Sequence, residues 1–128
     1  MYLAKEPAGT YLLKPKYGKK KGCNQAVKLT IIPDRNTNPN FLDFIVFYED
    51  GSSFIIRSNT KFGNTYFRYN DAIRVLYHIP QNLQYQLNLD TGNFQALTEC
   101  IINGKHVLSL MEYEIVQKIG TLATHANF

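Results

Sequence analysis

Five lysines crowd into the eleven residues KPKYGKKKGCN (14–24) of this 128-residue chain. They are Lys14, Lys16, Lys19, Lys20 and Lys21, with Tyr17 among them, and Lys28 follows in the next apolar run. An ammonium group is a compact charge with three donors, so several together can hold phosphates, while a tyrosine ring offers a face to a base. A second stretch, KFGNTYFRYN (61–70), interleaves Phe62, Tyr66, Phe67 and Tyr69 with Lys61 and Arg68 around a glycine. Binding single-stranded nucleic acid needs positive charge along the backbone path and rings for stacking, and both are present. The competing reading is plainer. Lysine clusters often form solvated turns, and Phe62 and Phe67 also suit a core.

The charge is polarised. Residues 1–35 carry eight basic and two acidic side chains, or +6, and residues 36–128 carry six and eight, or −2. An anionic partner at one end is the expectation, with a protein partner as a further possibility. The chain has the length of one domain, 1–128, whose last residues (120–128) read as a loosely held tail. No run reaches the apolar length of a membrane span, and the N-terminus lacks a hydrophobic signal core. With no CxxC pair, Cys23 and Cys100 are expected as free thiols in a cytoplasmic protein, and no membrane partner is expected.

Catalytic signatures are missing. There is no G-x-S-x-G elbow, H-E-x-x-H pair, phosphate loop ending in GK[ST], or G-x-G-x-x-G after a strand. The run Gly18-Lys-Lys-Lys-Gly22 lacks the hydroxyl that would bind magnesium. His78, His106 and His125 are scattered, and neither Glu49/Asp50 nor Glu112/Glu114 is placed as a two-carboxylate site. A non-enzymatic binding protein without a cofactor is therefore expected.

Strands must position the basic loop. TYLLKPKY (10–17) and QAVKLTII (25–32) flank it, the first with Tyr11 and Leu13 on one face, the second with Val27, Leu29 and Ile31. FLDFIVFYE (41–49) and SFIIRS (53–58) flank Asp50-Gly51, and QYQLNL (84–89) and FQALTECII (94–102) flank Asp90-Thr91-Gly92. Asn103-Gly104 turns the chain into KHVL (105–108), and DRNTNPN (34–40) reads as a long loop. Two helices are expected. NDAIRVLYHIP (70–80) has a cap and a closing proline. Ser109-Leu110-Met111-Glu112 matches a capping box, with Met111, Ile115 and Ile119 at helical spacing and Gly120 as the stop. The expected class is α+β: a strand-rich antiparallel curled sheet or OB-like barrel with a short central helix and a capped C-terminal helix.

Two family resemblances bear on these residues. Over 9–32, Gly9-Thr10-Tyr11, a basic strand, then Lys-Lys-Lys-Gly-x-Asn and an alternating strand resemble the opening of small OB-fold single-stranded-DNA-binding proteins of phages and mobile elements. That resemblance implies contacts from Lys14, Lys16, Tyr17 and Lys19 to Lys21. EPAGTYLLKPK and YFRYNDAIRVLYHIP are similar to parts of Src-homology type-two domains, which implies a phosphotyrosine ligand held by loop 17–24. In that reading Lys14 stands where the family has its arginine, and a lysine lacks the bidentate fork. A viral or accessory protein that binds another protein through its aromatic surface is the third expectation.

Overall fold

The computed structural model describes residues 7–33, 42–57, 60–62, 65–68 and 85–120. They form nine strands: β1 (Gly9–Pro15), β2 (Ala26–Pro33), β3 (Leu42–Tyr48), β4 (Ser53–Arg57), β5 (Thr60–Phe62), β6 (Thr65–Arg68), β7 (Tyr85–Asn88), β8 (Asn93–Ile102) and β9 (Lys105–Gly120). All belong to one sheet in the order β4-β3-β2-β1-β9-β8-β7-β6-β5, and every pairing is antiparallel. The first and last strands therefore lie side by side at its centre.

The sheet curls into a half-barrel, and side chains from distant strands meet on its inner face. Phe44 on β3 and Phe94 on β8 are separated by three intervening strands, yet their rings sit edge to face with centroids 6.3 Å apart. The hydroxyl of Tyr48 on β3 donates to the Leu97 carbonyl of β8 at 2.8 Å and lies 3.2 Å from the Tyr85 hydroxyl of β7. A flat sheet could not bring these strands together. The period of two supplies the lining: β3 buries Leu42, Phe44, Val46 and Tyr48 and turns Asp43, Ile45 and Phe47 outward. Buried hydroxyls inside find partners, while Gln25 Oε1 is buried without a hydrogen-bond partner among the described residues. The Ala26 N–H donates to the Tyr113 hydroxyl, which lies 2.9 Å from Thr98 Oγ1. Burial pushes the phenols of Tyr48 and Tyr113 above the usual range, so both stay neutral.

Among the described residues there is no helix, and this overturns the expected α+β class with its capped C-terminal helix. Of the two sheet forms expected, the curled antiparallel sheet is present, as a half-barrel, rather than the OB-like barrel. Residues 109–119 lie in β9, where a capped helix was expected. The reason is arithmetic. Met111 and Ile115 are four apart, and a spacing of four is even, so they share one face of a strand as well as of a helix. Ile119 would follow, but a register shift against β1 beyond Ile115 leaves it 46% exposed. Tyr113 separates the two readings. A helix would turn it away from Met111, whereas a strand puts it between Met111 and Ile115 on the inner face, where it is fully buried. The cap-like Ser109 instead pairs with Thr98 in the ladder. Glu112 and Glu114 are thus on one outward face of the strand. The helix expected over 70–80, the loop over 34–40 and the tail from Thr121 lie outside the described residues.

The hairpins agree with the turn signals, with two refinements. At Asn103-Gly104 both residues have positive φ (52° and 77°), as a two-residue turn of this twist demands. At the β3–β4 turn only Gly51 does, within a four-residue connection closed by Tyr48 and Ser52. A bulge between Ala26 and Lys28 shifts the phase of β2, so Ala26 takes the inner position and Val27, expected inside, is exposed. No helix of the described residues is long and apolar enough to cross a membrane.

Candidate functional site: a clamped basic loop

The loop between β1 and β2 is fastened at both ends. Where β1 ends, the Lys16 N–H donates to the Glu112 carbonyl of β9 at 2.9 Å, and a turn follows in which Gly18 N–H reaches Pro15 O. At its far end the segment Gly22–Asn24 runs along β8. The Ile101 N–H donates to Gly22 O, and the Asn24 N–H donates to Glu99 O, each at 2.8 Å. Between these two bonds Cys23 and Cys100 form a disulfide across 77 residues of sequence. The expected free thiols are thereby corrected. The pairing was illegible because two cysteines so far apart carry no spacing code, and only the fold of β8 beside the loop brings them together.

Gly22 makes the docking possible. Its φ is +82°, and a Cβ there would lie 2.7 Å from the Ile101 carbonyl oxygen. Gly18 also has positive φ (+88°) but faces open space. Gly22→Ala is expected to cost about 1–3 kcal/mol through backbone strain and the clash together, and to loosen the loop. Urea unfolding and the rate of tryptic cleavage at Lys19–Lys21 measure both effects. Gly18→Ala is the comparison, since it carries the backbone cost alone. Equal behaviour of the two variants speaks against a docked loop.

A third contact comes from the β3–β4 turn. Lys19 Nζ lies 3.0 Å from Glu49 Oε2, the Glu49 N–H donates to Gln25 O, and the Asp50 N–H donates to Asn24 Oδ1. The Lys19 hydrogen bond holds the Glu49 carboxyl below its usual range, and hydrogen bonds from Ser52 do the same for Asp50. Glu49 is therefore ionised at neutral pH, and its tether to Lys19 is lost only as the pH falls through that lowered value.

Residues 16–22 are all exposed, so Lys16, Tyr17, Lys19, Lys20 and Lys21 are presented together. Lys19 is shared with Glu49, and Lys16 Nζ sits 5.7 Å from the centre of the Tyr17 ring. Lys20 and Lys21 have no carboxylate in ion-pair reach among the described residues. Lys14 stands at the base of the loop opposite Glu114. Lys28 lies apart from the loop, on the outward face, with Nζ 5.0 Å from the centre of the Phe47 ring. Lys61 lies on β5, and Tyr66 and Arg68 lie on β6, at the far edge of the sheet order from β1; their side chains are outside the described residues. Among the described residues no group of histidine, cysteine or carboxylate side chains could hold a metal ion.

Sequence reasoning found the lysines and missed what holds them. The missed residues are Cys23, Cys100, Gly22 and the exposed apolar pair Ile101 and Ile102 beside the docked segment. The only sequence signal for them was the glycine on each side of the lysine run. No family model matches the chain, and no curated protein or solved structure matches it either.

Proposed function

We propose that the protein is a non-enzymatic binding protein whose clamped loop grips an anionic polymer, single-stranded nucleic acid above all. The observation that carries the reading is the fastening of the loop. Four ammonium groups and an exposed ring, Tyr17 at 78% accessibility, are held on one segment tied by a disulfide and backbone bonds to β8 and β9. Fixing them beforehand lowers the ordering cost of binding, which flexible lysines would otherwise carry in full. Lysine charge suits a phosphate backbone, and a free ring suits an unpaired base. The working form in this reading is the disulfide-bonded one. A cytoplasmic setting, as expected from the sequence, requires that the bridge be shielded from cellular thiols.

The test is salt-dependent binding to labelled single-stranded DNA, with double-stranded DNA and a phosphotyrosine peptide alongside. Single strands are expected to bind, and Lys19→Ala/Lys20→Ala/Lys21→Ala to weaken them and flatten the log–log salt slope by about 2. No affinity for single strands even at low salt sinks the proposal. Binding of the phosphopeptide alone moves the loop to the phosphotyrosine reading.

A further inference from the structure

Beyond Gln95, which is paired with β7, the ladder of β8 with β9 runs on as a ribbon as far as the Asn103-Gly104 turn. Its tip is apolar and uncovered: Ile101 is 54% exposed, Ile102 52% and Val107 41%. The pairing register assigns these side chains to two faces. Ile102 and Val107, opposite Lys105 and Cys100, share one face, and Ile101 lies on the other with His106 opposite it. Isolated surface isoleucines need no explanation. Two adjacent ones on opposite faces of a ribbon tip, beside a docked basic loop, are a different case. A flat partner could cover only one of the faces.

The loop meets the ribbon at this point. Gly22 is bonded to Ile101, so Lys20 and Lys21 come immediately before the docked residue, and Lys105 opens the returning strand. Cations are thus placed beside apolar side chains. A nucleic-acid strand has the matching alternation, since its phosphates are charged and its unstacked bases are apolar on both faces. Isoleucine is among the side chains that wedge between bases.

We propose that the β8–β9 tip is a second base-contacting part of the interface beside Tyr17, with Ile101 and Ile102 packing against unstacked bases while Lys20, Lys21 and Lys105 take the neighbouring phosphates. The inference rests on the single-stranded nucleic-acid reading above and adds which residues touch the bases.

An abasic oligonucleotide separates the two contributions, because it keeps the phosphates and lacks the bases. The wild-type protein is expected to bind oligo-dT about tenfold more tightly than an abasic strand of equal length, the size of one stacked contact. Ile101→Ser/Ile102→Ser is expected to reduce that preference to the share that the Tyr17 ring supplies and leave the salt slope unchanged, because apolar contacts release no counterions. Equal binding of both strands by the wild-type protein overturns the inference without any variant. So does a double variant that melts like wild type and keeps the whole preference. Anionic phospholipid vesicles provide the third arm, and loss of vesicle binding with oligo-dT binding intact assigns the tip to a lipid surface and overturns it too. Wild-type protein that binds neither strand at low salt fails the nucleic-acid reading itself, a result distinct from these.

Discussion

Replacing Cys23 and Cys100 together with alanine is expected to destabilise the protein by about 4 kcal/mol and to free the basic loop. The bridge joins residues 77 apart, and a cross-link of that span removes about 4 kcal/mol of chain entropy from the unfolded state. Folded domains have only about 5–15 kcal/mol in total, so the loss is a large share. The direction of the structural effect is also clear. The nine-strand ladder does not pass through the bridge, whereas the docked segment Gly22–Asn24 is held only by that bridge and a few hydrogen bonds. Reduction should therefore leave the sheet folded at moderate temperature while tryptic cleavage at Lys19–Lys21 speeds up, and single-strand binding should weaken with it. Urea unfolding with and without a dithiol reductant provides the stability figure. If the oxidised and reduced proteins unfold at the same urea concentration, the bridge does not stabilise the fold and the clamp has to be abandoned.

Phe94→Ala is expected to cost about 3–5 kcal/mol, the range for deleting a buried aromatic ring. Phe94 is fully buried, edge-on to Phe44 of β3 and stacked on Tyr85 of β7 at 6.2 Å. It therefore fastens the two halves of the curl to each other across the interior. Its loss leaves a cavity where β3 and β8 face one another, and neither strand can close in without breaking its own ladder. Phe94→Leu keeps most of the volume and is expected to cost less than half as much. Chemical denaturation of both variants tests this. A cost under about 1 kcal/mol for the alanine variant contradicts an inner face packed around this ring.

The strands near the turn signals were legible because their evidence is local. The alternation of Leu42, Phe44, Val46 and Tyr48, and the positive φ that Asn103-Gly104 accepts, belong to residues next to one another. The closing helix was misread because the cues at 109–120 serve two structures. Met111 and Ile115 fit both periods, and a serine followed by a glutamate three residues later is a helix cap only if a helix forms. Pairing with β1 on one side and β8 on the other decided it, since a strand held along both edges gains two ladders. That is tertiary context overriding local preference.

The sequence by itself determined the local pieces of this protein: the alternating runs, the turns between them, and a basic loop between the first two strands. These depend on side chains a few residues apart, so their chemistry can be read along the chain. Only the tertiary structure decided that the sheet curls so that Phe94 reaches Phe44, that β9 is a strand, and that Cys100 lies beside Cys23. Those outcomes depend on contacts between residues distant in sequence. Their formation is set by which edges pair and which faces bury, and no short stretch of residues specifies either.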